Sequence, residues 1–246
     1  MENYKTFSKY SLGIEPAQVK TTNERPVLDT KTAGIPGCFL LPREMPFFVL
    51  PWFVGGTPTN AGMKNILIIN GSASNNSSNQ KLIKRIVELS RDYFNVTVFD
   101  ALKTLPHFDP ELSIEGAPKE ILAFRRQVEN ADGILVCTPE YVFSIPSGLK
   151  NAIEWCVSTM VFSDKPVGLI TASANGQKGH EELQLLMKTL GTKFTAQTTL
   201  LIRGIKGKIN EEAIITDNET SKALHYFIDA FEKLIDTTWQ DNEPYN

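Results

Sequence analysis

From residue 64 onward, short runs of β-branched and aliphatic residues alternate with longer stretches whose apolar positions recur every three or four residues. The first kind of run, apolar on both sides of the pleat as in "ILIIN" and "GILVCT", suits strands buried on both faces, and the second puts an apolar stripe along a helix. The pattern predicts strands at 65–70, 96–100, 133–138, 166–172 and 198–202, with helices at 79–92, 118–130, 147–159, 180–190 and 218–237. Pro118 and Pro146 suit a first helical position, and Asn218 or Thr220 suits an N-cap. Strands that are each followed by a helix imply an all-parallel sheet, right-handed crossovers and helices on both faces. In such a doubly wound α/β domain the ligand is expected outside the carboxyl ends of the strands.

The first part of the chain reads differently. Pro16, Pro26, Pro36, Pro42, Pro46, Pro51 and Pro58 are half of the chain's 14 prolines, a density that forbids a long helix or a central strand. The expected division is therefore an irregular proline-rich arm at 1–63, the α/β domain at 64–240 and a short tail at 241–246. Within the arm, "MPFFVLPWFVGG" (45–56) is too short and broken to cross a bilayer and too apolar to stay in water. It is expected to pack on the main domain or on a second subunit. Because Met63 directly precedes the first strand, a dispensable arm is the alternative.

Composition narrows the function. A net charge of -3 with no cluster of lysine and arginine gives no face for nucleic acid. Without a membrane-length apolar run or a signal-peptide pattern, the expectation is a cytoplasmic protein with no membrane partner. Cys38, Cys137 and Cys156 lack CxxC spacing and read as reduced thiols, Cys137 and Cys156 as small apolar fillers. His180 opens "HEELQ", which lacks the second histidine of a zinc helix, so no metal is expected.

Two stretches carry the chemistry. "NGSASNNSSN" (70–79) lies between the first strand and the first helix, where unpaired N–H groups and small hydroxyl residues suit a phosphate; a merely capped loop has the same composition. Neither GxGxxG nor GxxxxGK is present there. "CTPEYVFSIPSGLKNAIEW" (137–155) breaks the third strand at Thr138-Pro139-Glu140-Tyr141, an open loop facing the same crevice.

These stretches resemble the NADPH-dependent FMN reductase family. Its motif GSxRxxSxN is matched at Gly71, Ser72, Ser77 and Asn79, with Ser74 in place of the arginine. Its motif PEYxxSxPxxLKNxxDW is matched at Pro139, Glu140, Tyr141, Ser144, Pro146, Leu149, Lys150, Asn151 and Trp155, with Glu154 in place of aspartate. Weaker similarities lie at 105–112 and 172–179, and the whole spans about 64–205. The resemblance implies a flavodoxin-like five-stranded sheet of order 2-1-3-4-5, bound FMN, and NADPH or NADH as co-substrate. Hydride would pass by way of the flavin to a small-molecule electron acceptor such as a quinone, an azo compound, a metal oxyanion or free flavin.

By the same resemblance Ser72, Ser74, Ser77, Ser78 and Asn79 surround the FMN phosphate. Pro139, Glu140, Tyr141 and Val142 border the ring and ribityl chain, largely through backbone groups, and Ser173, Asn175 and Gly176 close the far side. No catalytic side chain is required. Loss of the arginine implies weaker FMN retention or altered NADPH preference. Val142 and Phe143, where the family carries small or polar residues, either narrow the pocket or meet a partner subunit. His107 is a substrate contact or a surface residue, Lys150 and Asn151 serve either packing or the flavin, and Trp155 and Trp239 belong to a core or interface. The resemblance further implies a homodimer or homotetramer. The alternative function is a non-enzymatic FMN-bearing electron carrier, against which the modest negative charge argues.

Overall fold

Parallel strands that alternate their side chains between two covered faces need two separate apolar layers, and the chain provides them. The computed structural model of the protein describes residues 62–242, with side chains as far as Thr238. The arm expected at 1–63, apart from Gly62 and Met63, lies outside the described residues with its stretch 45–56 and Cys38. So do residues 243–246 of the tail and the side chain of Trp239.

The strands are β1 (Lys64–Asn70), β2 (Phe94–Phe99), β3 (Gly133–Thr138), β4 (Val167–Ser173) and β5 (Thr199–Arg203). They form one parallel sheet of order β2-β1-β3-β4-β5, the flavodoxin-like arrangement. The helices are α1 (Ser78–Ser90), α2 (Lys119–Asn130), α3 (Ser147–Glu154), α4 (Gln177–Thr189) and α5 (Asn218–Asn242). Leu67, Ile69, Ile134, Val136 and Leu169 face a layer with Phe124 of α2, Leu149 of α3 and Leu183 of α4. Their neighbours Ile66, Ile68, Leu135, Cys137 and Ile170 face Leu82 and Ile86 of α1 and Phe227 and Phe231 of α5.

Several boundaries move for local reasons. β2 begins at Phe94, which is buried and pairs with Lys64. Helix α3 ends at Glu154 instead of 159, where Cys156 N–H turns to the Ile153 carbonyl three residues back and the Trp155 carbonyl accepts from Arg125 Nε at 2.9 Å. Beyond it the chain runs in tighter bonds, Val157 N–H to Glu154 and Thr159 N–H to Cys156. Helix α4 starts at Gln177 instead of 180, after Gly176 at φ +85°. Pro118 and Pro146 stand one place before their helices, with extended ψ, and do not occupy the first helical position. Asp217 caps α5 in place of Asn218 or Thr220, its carboxylate accepting from Thr220 N–H at 2.9 Å.

Candidate functional site

The turn after β1 is shaped by its own small polar groups. Asn70 Oδ1 accepts from Ser72 N–H at 3.1 Å, and Ser72 Oγ from Ser74 N–H at 3.3 Å. Ser77 caps α1 by accepting Gln80 N–H at 3.1 Å, which leaves its own hydroxyl proton free to donate outward. The N–H groups of Ser78 and Asn79 open the helix, where internal acceptors are lacking. Gly71 donates to the Cys137 carbonyl at 2.8 Å and lies so close to β3 that an added Cβ would fall 2.4 Å from Thr138 Oγ1. Only glycine permits that approach.

The turn after β3 is held by carboxylates. Glu140 accepts from Gly176 N–H at 3.2 Å and Gly179 N–H at 2.8 Å, so it caps α4 from another loop and completes the early start of that helix. Glu182 of α4 reaches back in the other direction, accepting from the Ser144 hydroxyl at 2.6 Å, from Ile145 N–H at 2.9 Å and from Lys150 Nζ at 3.2 Å. Between these clamps Tyr141 and Ser144 exchange both backbone hydrogen bonds, at 2.9 and 3.1 Å. The two residues at the tip, Val142 and Phe143, take φ +51° and +60°. They form a two-residue turn with both members left-handed.

A cavity of about 310 Å³ opens between these turns. Gly71, Ser72 and Ala73 line it from the first turn, and Tyr141, Pro146, Ser147, Gly148 and Asn151 from the third strand's connection. Leu102, Lys103, Leu105 and His107 close it from the segment after β2. That segment is anchored from below: Asn151 Nδ2 and Trp155 Nε1 both donate to the Pro106 carbonyl, and Asn151 Oδ1 accepts from Phe108 N–H at 2.7 Å. Partial burial pushes the Tyr141 phenol's pKa up, but the Ser72 and Ser74 hydroxyls, the Ala73 N–H and the Lys103 charge outweigh it and hold it below its ordinary value. The groups around that oxygen favour a negative charge.

Of the residues singled out from sequence, Ser72 and Tyr141 line this cavity directly, and Ser74 joins them beside the phenol. Ser77, Ser78 and Asn79 stand at the start of α1. Asn79 is only 3% exposed, and its carboxamide is spent inside the protein, donating to the Ala172 carbonyl at 2.9 Å and accepting from Cys137 Sγ. Pro139 is buried, and the Glu140 side chain is committed to α4. Val142 is 93% exposed, with its side chain turned to solvent. Ser173, Asn175 and Gly176 form the β4–α4 turn, outside the cavity lining and joined to it through Glu140.

His107 does border the cavity, while Lys150 pairs with Glu182 and Asn151 holds the 106–108 segment. Trp155 is fully buried. His180 is 8% exposed and paired with Thr171 Oγ1 at 2.9 Å, a satisfied core histidine whose pKa burial pushes down. Burial pushes both described thiols up, Cys156 to about 12, so neither is nucleophilic. Sequence reasoning missed Leu102, Lys103, Leu105, Ser147 and Gly148. The signal available for Lys103 was its place two residues before the 105–112 similarity.

The profile of the NADPH-dependent FMN reductase family matches residues 64–202, more than half of the chain and all three turns of the cavity. An NAD(P)H:quinone oxidoreductase of Solanum tuberosum is 27% identical over 172 residues, 67% of this chain and 89% of that protein. A quinone reductase of Escherichia coli K12 is 29% identical over 128 residues, covering 51% of this chain and 68% of the relative. Among solved structures, the flavoenzyme NAD(P)H:(acceptor) oxidoreductase FerB of Paracoccus denitrificans aligns with a TM-score of 0.65 at 26% identity, covering 72% of this chain and 99% of that one. With its sheet order and its two motif-bearing turns meeting at one cavity, the chain belongs to the NADPH-dependent FMN reductase family of oxidoreductases.

Proposed function

We propose that the protein is an NAD(P)H-dependent quinone reductase that holds FMN in the crevice between the turns after β1 and β3. The observation that carries this reading is the cavity lined jointly by Ser72 and Tyr141 at the carboxyl ends of adjacent strands. Its volume lies at the lower end of the roughly 300–1,000 Å³ of small-molecule sites. The residues fit the cofactor: the Ser72, Ser74, Ser77 and Ser78 hydroxyls and the Asn79 N–H offer donors to a phosphate, at a place whose neighbours already favour a negative oxygen. Backbone groups of Pro139, Glu140, Tyr141 and Val142 would border the ring, and Ser173, Asn175 and Gly176 its far side. The side chains of Asn79 and Glu140 have no part in this, because they lock α1 and α4 in place.

When bound, FMN supplies the two-electron chemistry, taking hydride from the nicotinamide and passing it to the acceptor. The balance is NAD(P)H, a proton and a quinone giving NAD(P)⁺ and a hydroquinone. The chain's own work is to bind and orient flat molecules and to narrow the crevice against water. Leu102 and Leu105 present apolar walls, and His107 is the polar group at the rim for an acceptor carbonyl. A quinone is preferred over azo compounds, metal oxyanions or free flavin because quinone reductases recur among the relatives. We further place the protein in the cytoplasm as a homodimer or homotetramer. The reduced, buried thiols support the first assignment, and the exposed apolar Ile114, Val157 and Met160 suit a subunit contact. Among the described residues no helix is long and apolar enough to cross a membrane.

Purified protein mixed with FMN, NADPH or NADH and a quinone should retain flavin and sustain nicotinamide oxidation beyond one equivalent per flavin only when the quinone is present. Flavin bound without nicotinamide oxidation would point to an electron carrier, and failure to retain FMN would end the reading.

A further inference from the structure

A phosphate monoester carries close to two negative charges at neutral pH, and hydroxyl and N–H donors solvate that charge without neutralising it. The start of α1 offers about half a positive charge. A cation beside such a seat would strengthen it, and here Ser74 stands where the family motif has arginine. We propose that Lys103, from the segment after β2, is the cation that receives the FMN phosphate in this protein. The proposal rests on the flavin reading above.

Four observations support it. Lys103 is the one lysine or arginine among the described residues lining the cavity. Its ammonium lies 3.4 Å from Asn75 Oδ1, which brings it against the serine-rich turn from the opposite side. Other lysines nearby are already neutralised, Lys81 by Glu211 at 2.7 Å and Lys150 by Glu182 at 3.2 Å, whereas among the described residues no carboxylate pairs with Lys103. The charge is also felt at the seat, since Lys103 is among the groups that hold the Tyr141 phenol below its ordinary pKa.

The lysine is anchored by its neighbours. Leu102 and Leu105 are buried, and the turn between them is closed by Thr104 N–H on the Ala101 carbonyl at 3.0 Å. The base of the side chain is thus fixed while its end stays free to swing from Asn75 onto an anion.

The test is a titration of the full-length chain, freed of flavin, with FMN and with riboflavin at low and high salt, followed by flavin fluorescence. Lys103→Met should weaken FMN about tenfold while riboflavin binding is unchanged, and the salt dependence of FMN binding should flatten. Lys103→Arg should keep FMN affinity within a few-fold, as a conserved charge requires. The proposal is overturned if Lys103→Met binds FMN as the parent does, or if FMN and riboflavin weaken alike. A raised KM for NADPH with FMN affinity intact would assign the lysine to the dinucleotide instead. If the parent protein binds neither flavin, the flavin reading itself fails and takes this proposal with it; FMN held no better than riboflavin removes the phosphate seat alone.

Discussion

Val142 and Phe143 occupy backbone positions that asparagine and glycine hold at little cost. A β-branched residue at positive φ stores on the order of 1 kcal/mol or more, and both side chains lie in water, 93% and 74% exposed, without packing to compensate. The double change Val142→Asn, Phe143→Gly should therefore stabilise the protein by about 1 kcal/mol in denaturant unfolding, because Asn-Gly is the preferred pair for a turn of this type. No gain would mean that the turn is not strained. What opposes the strain is Glu182. Partial burial pushes its pKa up, but the Ser144 hydroxyl, the Ile145 N–H and Lys150 prevail and hold the carboxyl below its ordinary range. The folded state thus binds this proton less readily than the unfolded state, so the contribution is complete above about pH 4.3 and fades as pH falls through the folded pKa. The stability difference between parent and Glu182→Gln should accordingly hold steady above the ordinary carboxyl range and shrink as pH falls below about 4.3. A difference independent of pH would show that the carboxylate's charge is not what holds the turn.

At the scale of elements, helix starts join the layers. Asn79 has the composition of a phosphate ligand, yet the structure turns its carboxamide inward to bind β4 and touch β3. Asn79→Ala should cost about 1–3 kcal/mol, because the buried Ala172 carbonyl loses its partner, and urea unfolding would measure it. A loss well below that range would mean that water replaces the amide. Glu140 does for α4 what an N-cap normally does from within its own helix, and this is why α4 starts three residues earlier than periodicity implies. Periodicity registers apolar stripes and local caps; it has no access to a cap lent by another loop. Likewise the chain just past the end of α3 is tied down by a guanidinium from α2.

For the whole molecule, the strand order decides which loops meet. Because β1 lies between β2 and β3, the connections after all three strands open side by side, and residues as distant in sequence as Ser72, His107 and Tyr141 line one cavity. The same geometry puts Lys103 opposite the serine-rich turn. Size-exclusion chromatography with light scattering should give a mass of two or four chains. A single-chain mass would withdraw the proposed oligomer and leave Ile114 and Met160 as exposed apolar residues without a partner.

The strands, their parallel pairing and the two polar turns that border the cavity were legible in the chain itself, because period-two and period-three-to-four patterns are properties of neighbours in sequence. Gly71, Ser72 and Tyr141 were singled out by resemblance to the family's motifs, and all three line the cavity. The cavity's third wall, the inward turn of Asn79, the capping duty of Glu140 and the position of Lys103 were decided only by tertiary structure. Each depends on contact between segments tens of residues apart, and such contacts exist only once the sheet has brought the ends of its strands together.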